Sequence, residues 1–338
     1  METLYLTDSP ADLEQAASLL RDGELVAIPT ETVYGLAADA ENGPAVARIF
    51  AAKGRPMDNP LIVHIADLET LPRLVAEIPE TAIKLADAYW PGPLTMIFPK
   101  GPRIPDEVSA GLSTVAVRMP SHPVARTLIR ASGRSLAAPS ANRSGSPSPT
   151  TAAHVLADLE GRIAAVVDGG ECSVGVESTV VLMTGDRPRL LRPGGVTVEM
   201  LERVAGPVEI DPAVTSRLAE GAEAASPGMK YKHYAPKARV VIVKGSPAAY
   251  AAYVNDRAGE GSAALCFDED RESLRVPCVS YGGRMDPAAQ ARCLFGALRE
   301  LDRRGYALVY AACPGEDGMG LAVYNRLLRA AGFEVVEL

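Results

Sequence analysis

Apolar positions along this chain change period several times, and each change predicts an element. Ser9-Pro10-Ala11-Asp12 reads as a helix start, with a serine cap, proline at the first position and acid in the first turn. Leu13, Ala16, Ala17, Leu19 and Leu20 then follow a helical period, and Gly23 ends it. Residues 25–29 form a short apolar run, which predicts a buried strand. It opens into the polar stretch 30–36, placed where an open α/β sheet carries its ligands. A helix is predicted over 44–52, a Gly- and Pro-marked loop over 53–60 and a strand over 61–65. Helical periodicity returns over 67–76 and 80–89, and Trp90-Pro91-Gly92-Pro93 stops it. Strands follow over 94–98 and 115–119, a helix over 122–131, and a strand over 136–139.

The run 140–149 is dense in Ser, Asn, Gly and Pro, a composition shared by linkers and turns. Because it sits between a strand and a helix beginning at Thr150, it reads as an ordered binding loop. Strands over 163–167, 180–183 and 189–192 complete a first domain, 1–210, that mixes parallel and antiparallel pairing. Residues 211–237 differ from both sides: a short helix over 211–219, then SPGMKYKHYAP (226–236), cationic, aromatic and bracketed by prolines. From Arg239 onward, strands at 240–243, 263–267, 276–280, 306–311 and 333–336 alternate with helices at 247–256, 286–303 and 319–331. That alternation predicts a small Rossmann-like parallel-sheet domain over 238–338. No GxGxxG follows its first strand, so dinucleotide binding is not supported.

Composition refines this picture. The length of 338 residues suits about two domains, and 47% hydrophobic with 22% charged residues describes an ordinary soluble globular protein. The five cysteines form no CxxC pair and the four histidines are scattered, so neither a disulfide framework nor a metal site is expected. The N-terminal residues carry Glu2, Asp8 and Asp12 without an apolar run, and no segment approaches ~20 apolar residues. A soluble, cytoplasmic protein that does not contact membranes is expected.

A net charge of -8 argues against a globally basic nucleic-acid binder. The charge is unevenly spread, however. No acid occurs between Glu107 and Asp158, where Arg118, Arg126, Arg130, Arg134 and Arg143 fall, or between Glu223 and Asp256, where Lys230, Lys232, Lys237, Arg239 and Lys244 fall. Such a distribution suggests a local positive field facing an anionic ligand, with chance clustering as the plain alternative.

The chemistry-bearing residues gather at strand ends and loops. Lys53 and Arg55 flank a glycine, followed by Asn59 and His64; further along come Arg118, Ser140, Asn142, Ser178 and Arg192. Arg offers a forked contact to phosphate or carboxylate and Lys a point charge, although a solvated charge pair on a turn is the commoner meaning of Lys53 and Arg55 alone. GxxxxGK[ST], HExxH and GxSxG are all absent. Hydroxyls, an amide and several cations suit the joint binding of polyphosphate and carboxylate. Phosphoryl and nucleotidyl transfer rest mainly on positioning and charge stabilisation. The residues alone therefore point to an anion-handling α/β enzyme that uses a nucleotide.

Several of these stretches, taken in order, are specific together: PTETVYGL (29–36), KGRP with NPL (53–56, 59–61), VAVRMP (115–120), APSANRSG (138–145), GVESTVV (175–181) and LRPG (191–194). With SPGMKYKHYAP they resemble the threonylcarbamoyl-adenylate synthases, in the long form that joins a YrdC-like domain to a C-terminal α/β domain. The KxR…SxN pattern of that family stands here as Lys53, Arg55, Ser140 and Asn142. The resemblance covers essentially the whole chain, with no departure at the motif positions. It implies a twisted mixed sheet with helices around a large cavity, followed by the Rossmann-like domain.

The implied reaction joins L-threonine, bicarbonate or CO2 and ATP to give L-threonylcarbamoyl-adenylate and pyrophosphate. The product serves N6-threonylcarbamoyladenosine at position 37 of tRNAs reading ANN codons. Carried over by motif, Thr32, His64, Arg118, the Ala138 backbone and Ser178 hold threonine. Arg55, Asn59, Thr114, Ser140, Asn142, Ser148, Arg192 and the linker residue Tyr231 hold ATP, and Lys53 and Arg55 are the catalytic cations, assisted by Mg2+ that travels with ATP. A threonylcarbamoyl transferase downstream, and tRNA itself, are the implied partners, and residues 211–237 are a candidate lid. Two other classes are weighed against this reading. A carbamoyl transferase of metallocentre maturation would bring zinc-finger and acylphosphatase modules, which are absent. An RNA-binding module without catalysis would bind RNA in a salt-dependent manner and consume no ATP.

Overall fold

The computed structural model describes residues 2–216, 234–257 and 259–338. The N-terminal strands are short and almost fully apolar: β1 (Leu4–Leu6), β2 (Val26–Ile28), β3 (Gly35–Asp39), β4 (Ile62–His64), β5 (Leu94–Pro99), β6 (Thr114–Arg118), β7 (Leu136–Ala137), β8 (Ala165–Val167), β9 (Thr179–Leu182), β10 (Arg189–Arg192) and β11 (Glu209–Ile210). They join one mixed sheet in the order β1-β8-β2-β3-β7-β4-β6-β5-β9-β10-β11. Strands buried on both faces need no alternation of polar residues, and those at the centre show none: β2, β3, β4 and β8 are buried throughout. One face packs on the helices Pro10–Arg21 and Pro123–Ser132, and the other carries the larger core.

Helix ends explain how the site is presented. Asn42 caps the helix Gly43–Lys53 by accepting from the Ala45 N–H, and Gly54, at φ 63°, ends it in the left-handed region that glycine adopts without cost. Lys53 is therefore the last helical residue, and the chain turns at once through Arg55 toward β4. The loop 140–149 is ordered by its backbone and side chains: the Ala141 N–H donates to the Tyr34 carbonyl at 2.8 Å, and the Asn142 amide donates to the carbonyls of Arg143 and Ser146 at 2.8 Å each.

The C-terminal strands β12 (Arg239–Lys244), β13 (Ser262–Cys266), β14 (Cys278–Ser280), β15 (Leu308–Ala312) and β16 (Val335–Glu337) form a second, wholly parallel sheet ordered β14-β13-β15-β12-β16. The helices Pro247–Arg257, Pro287–Arg304 and Gly318–Ala330 alternate with these strands. The fold is thus mixed α/β in two sheets, as the patterning implied. The two units meet through buried and partly buried polar contacts. Asn325 donates to the Val214 carbonyl at 2.6 Å, and Arg299 binds Asp158 at 2.9 Å and the Pro147 carbonyl at 2.5 Å.

Some elements differ from expectation. The helix predicted over 67–76 is a single 3-10 turn, Leu68–Thr70, and one helical turn, Leu71–Leu74, because Val75 turns extended and bridges to Lys100. Strand β3 and the helix Val198–Ala205 fall where no element was predicted. Of the helix expected over 211–219, the described part is a 3-10 turn, Pro212–Val214.

Candidate active site

Strands β4 and β6 run parallel with His64 directly beside Arg118, and β5 pairs antiparallel with β6, setting Thr95 on the other side of Arg118. Residues opposite one another in register share a face. His64, Arg118 and Thr95 therefore stand in one row, and β9, parallel to β5, brings Ser178 to its end. The Ser178 hydroxyl lies 2.8 Å from that of Thr95. Arg192, from β10, donates through Nε to the Ser178 carbonyl at 3.0 Å and through Nη2 to its hydroxyl at 3.2 Å. A cavity opens over this row.

Eight of the predicted residues line it: Thr32, Arg55, His64, Arg118, Ala138, Ser140, Ser178 and Arg192. Arg118 is buried; it donates to the Thr32 hydroxyl at 2.8 Å and lies 2.7 Å from Glu31, a contact of charges rather than an aligned hydrogen bond. Burial works against the Glu31 carboxylate, but the Arg118 guanidinium outweighs it and holds the acid below its usual range. Burial drives His64 down to about 3, and the Arg118 cation pushes the same way, so its ring is neutral at any physiological pH. Its Nδ1 is buried without a hydrogen-bond partner. Burial also lowers Arg55, to about 10, while Arg55 donates to the carbonyls of Asn59 and Pro60 at 3.2 and 3.1 Å.

The other predicted residues stand off the lining. Lys53 is buried and points its ammonium at the carbonyls of Ser140 and Asn142, the latter at 2.6 Å, tying the helix end to the loop 140–149. Burial, reinforced by the Arg55 cation, takes the Lys53 ammonium well below its ordinary value. Asn142 is the partner of that contact rather than a lining residue. Asn59 is buried, and neither end of its amide has a partner. Ser148 donates to Glu177 from full burial. Thr114 begins β6, four residues before Arg118, so about 13 Å of strand separates them. Tyr231 lies outside the described residues.

Three polar lining residues received no role from the sequence: Thr30, Glu177 and Tyr234. Both Glu31 and Glu177 sit inside motifs quoted above, but a carboxylate is not a group that attracts anions, so neither stands out among the cations and hydroxyls around it. Glu177 stays below its usual range although burial opposes this, because Arg326 and Arg192 stand close and Ser148 donates to it.

Comparison with known proteins places this geometry. The family model described as "Telomere recombination" (Sua5_yciO_yrdC) matches residues 18–194, and that described as "Threonylcarbamoyl-AMP synthase, C-terminal domain" matches 196–332. The Threonylcarbamoyl-AMP synthase of Pyrococcus abyssi is 47% identical over 96% of this chain and 95% of its own length. That of Bacillus subtilis is also 47% identical, over 98% and 96%. The chain belongs to the threonylcarbamoyl-AMP synthase family. Members bearing that name span nearly the whole chain, and the protein is an enzyme of this class, in the biosynthesis of threonylcarbamoyladenosine. Among solved structures of the family, Pyrococcus abyssi Sua5 complexed with L-threonine superposes with a TM-score of 0.91 at 44% identity, covering 100% of both chains. A metallocentre carbamoyl transferase or a non-catalytic RNA-binding module does not account for relatives of this extent.

Proposed function

We propose that the enzyme condenses L-threonine with bicarbonate or CO2 and transfers the AMP moiety of ATP to the product, releasing pyrophosphate. The observation that carries this reading is the composition of one buried cavity, in which Arg55, Arg118 and Arg192 stand beside a neutral imidazole and several hydroxyls. The threonine carboxylate is assigned to the Arg118 fork, with Thr32, His64, Ser178 and the Ala138 backbone completing that subsite. Neutral His64 suits the threonine hydroxyl, since it offers a hydrogen bond without a competing charge. Arg55, Ser140 and Arg192 are assigned to ATP, with Asn59, Asn142, Ser148 and Thr114 at its margin, and Tyr231 on the linker.

The threonine amine attacks the carbon of CO2 and gives up a proton to solvent, or attacks bicarbonate with loss of water, and yields a carbamate. A carbamate oxygen then attacks the α-phosphorus, the bond to the β-phosphate oxygen breaks, and pyrophosphate leaves. Lys53 and Arg55 are the cations we assign to the charge moving onto the leaving group, Arg55 from the lining and Lys53 from behind the Ser140–Asn142 loop. Among the described residues no cluster of three His, Cys, Asp or Glu suits a metal, and Glu177 is already engaged by Arg326 and Ser148. Magnesium is therefore written as part of the substrate MgATP, held by the phosphates. Residues 1–210 form the catalytic unit in this reading, 211–237 the lid that excludes water, and 238–338 the Rossmann-like unit. The product passes to a threonylcarbamoyl transferase acting at adenosine 37 of tRNAs reading ANN codons, in the cytoplasm. Among the described residues no helix is long and apolar enough to cross a membrane.

The test is pyrophosphate release by the full chain with MgATP, measured with threonine and bicarbonate together and with each withdrawn. Release that requires both supports the reading; release indifferent to threonine removes it.

A further inference from the structure

Glu177 is out of place in a cavity that collects anions. It lines the same wall as Arg55 and Arg192, and an uncompensated carboxylate there would repel phosphate. Its charge is met from the other unit of the molecule. Arg326, on the helix Gly318–Ala330, is fully buried and donates through Nε to Glu177 Oε2 at 2.6 Å and through Nη2 to the Glu177 carbonyl at 3.0 Å. Its remaining nitrogen, Nη1, donates to Asn325 Oδ1 at 2.8 Å, and Asn325 in turn donates to the Val214 carbonyl. Every arm of the guanidinium is thus fixed. The guanidinium also lies 5.7 Å from the centroid of the Tyr234 ring, and Tyr234 lines the cavity while packing on Phe295. Holding the Glu177 backbone also fixes the start of the Ser178–Thr179 segment, whose hydroxyl faces Arg192 and Thr95.

We propose that Arg326 is a positioning residue of the nucleotide site, supplied by the C-terminal sheet unit, and that it cancels the Glu177 carboxylate so that the cavity wall stays attractive to polyphosphate. The site is incomplete without that unit. This inference rests on the reading of the cavity as the MgATP site.

A charge-compensation series in the full chain tests it, with dissociation constants for MgATP and for L-threonine measured separately by calorimetry. Arg326→Gln removes the ion pair, leaves the carboxylate only Arg192 and the Ser148 hydroxyl, and is expected to weaken MgATP binding by about tenfold or more. Threonine binding should change much less. Glu177→Gln alone removes the acid and keeps Arg326, so MgATP binding should stay equal or tighten. The double variant Glu177→Gln/Arg326→Gln carries no net charge at the pair and should return to within about threefold of the unaltered protein. A merely structural role for Arg326 would weaken both ligands together and leave the double variant no better than Arg326→Gln; either result overturns the proposal. Should Arg326→Gln fail to fold, the Glu177→Gln arm still decides, since a tenfold loss of MgATP affinity there contradicts a repulsive Glu177. Unaltered protein that binds MgATP but shows no threonine-dependent pyrophosphate release would instead count against the reaction proposed above. Unaltered protein that does not bind MgATP would count against the cavity assignment.

Discussion

His64 shows how much one buried side chain can contribute to the behaviour of the protein. Its ordinary value is 6.5 and burial takes it to about 3 in the fold. The folded chain therefore refuses a proton that the unfolded chain accepts. Stability linked to His64 is fully present above 6.5 and is lost as pH falls toward 3, because unfolded molecules bind more protons in that window. At its steepest the slope is about 1.4 kcal/mol per pH unit for one proton. His154, at about 4, and His122, also lowered, are depressed chiefly by burial and add slopes of the same sign, so the total does not isolate one residue. The difference between the unaltered protein and His64→Asn does. Urea midpoints from pH 5 to 7 should fall more steeply toward acid in the unaltered chain, whatever the absolute stability of the variant. Parallel curves would mean that the folded chain takes up the imidazole proton as the unfolded chain does, and the neutral hydrogen-bonding role given to it would be lost.

At the scale of elements, the strands that place the site were legible, because 61–65, 94–98 and 115–119 are short apolar runs, each broken by a single polar residue (His64, Thr95 and Arg118), as expected of strands buried on both faces. Strand β3 was not: Gly35, Ala37 and Ala38 carry little side chain, and what makes them a strand is pairing with β2 on one side and β7 on the other. Arg326 was hidden for a related reason. An arginine inside a helix ordinarily reads as a solvated face, and only its neighbours Ala322, Val323, Leu327 and Ala330 mark its position as core. The LRPG motif at 191–194 has a steric meaning that the residues alone did not disclose. A Cβ at Gly194 would stand 2.3 Å from the Thr179 nitrogen and 2.6 Å from the Glu177 carbonyl oxygen. The turn after β10 thus lies against the segment that carries Ser178. Gly194→Ala must displace one of the two, at a cost of roughly 2 kcal/mol. Its urea midpoint should fall, and threonine affinity should fall with it because Ser178 moves. Unchanged threonine binding in a destabilised but folded variant would separate Ser178 from the threonine subsite.

For the whole molecule, the question is whether the seam between the two sheets matters to the cavity. Gly175 is the place to ask it. Its φ is +81°, and a Cβ there would lie 2.4 Å from the Arg292 Cα and 2.5 Å from the Ala291 carbonyl oxygen, both on the helix Pro287–Arg304. That helix also carries Phe295, which packs on Tyr234 at the cavity, and Arg299, which holds Asp158 and the loop carbonyl of Pro147. Gly175→Ala therefore combines two effects: a left-handed backbone with a side chain, and backbone driven against backbone across the seam. Gly170 separates them, since its φ of +83° is nearly the same but nothing lies within 4 Å of its missing Cβ. Gly170→Ala should cost about 1–2 kcal/mol from conformation alone and leave MgATP binding intact. Gly175→Ala should cost more, and it should also weaken MgATP, because Glu177 and its partner Arg326 lie on opposite sides of the contact being forced apart. Calorimetric titration of both variants with MgATP, beside their urea midpoints, checks this. Equal losses of stability and unaltered nucleotide binding in both would show that the C-terminal sheet can shift without the cavity responding.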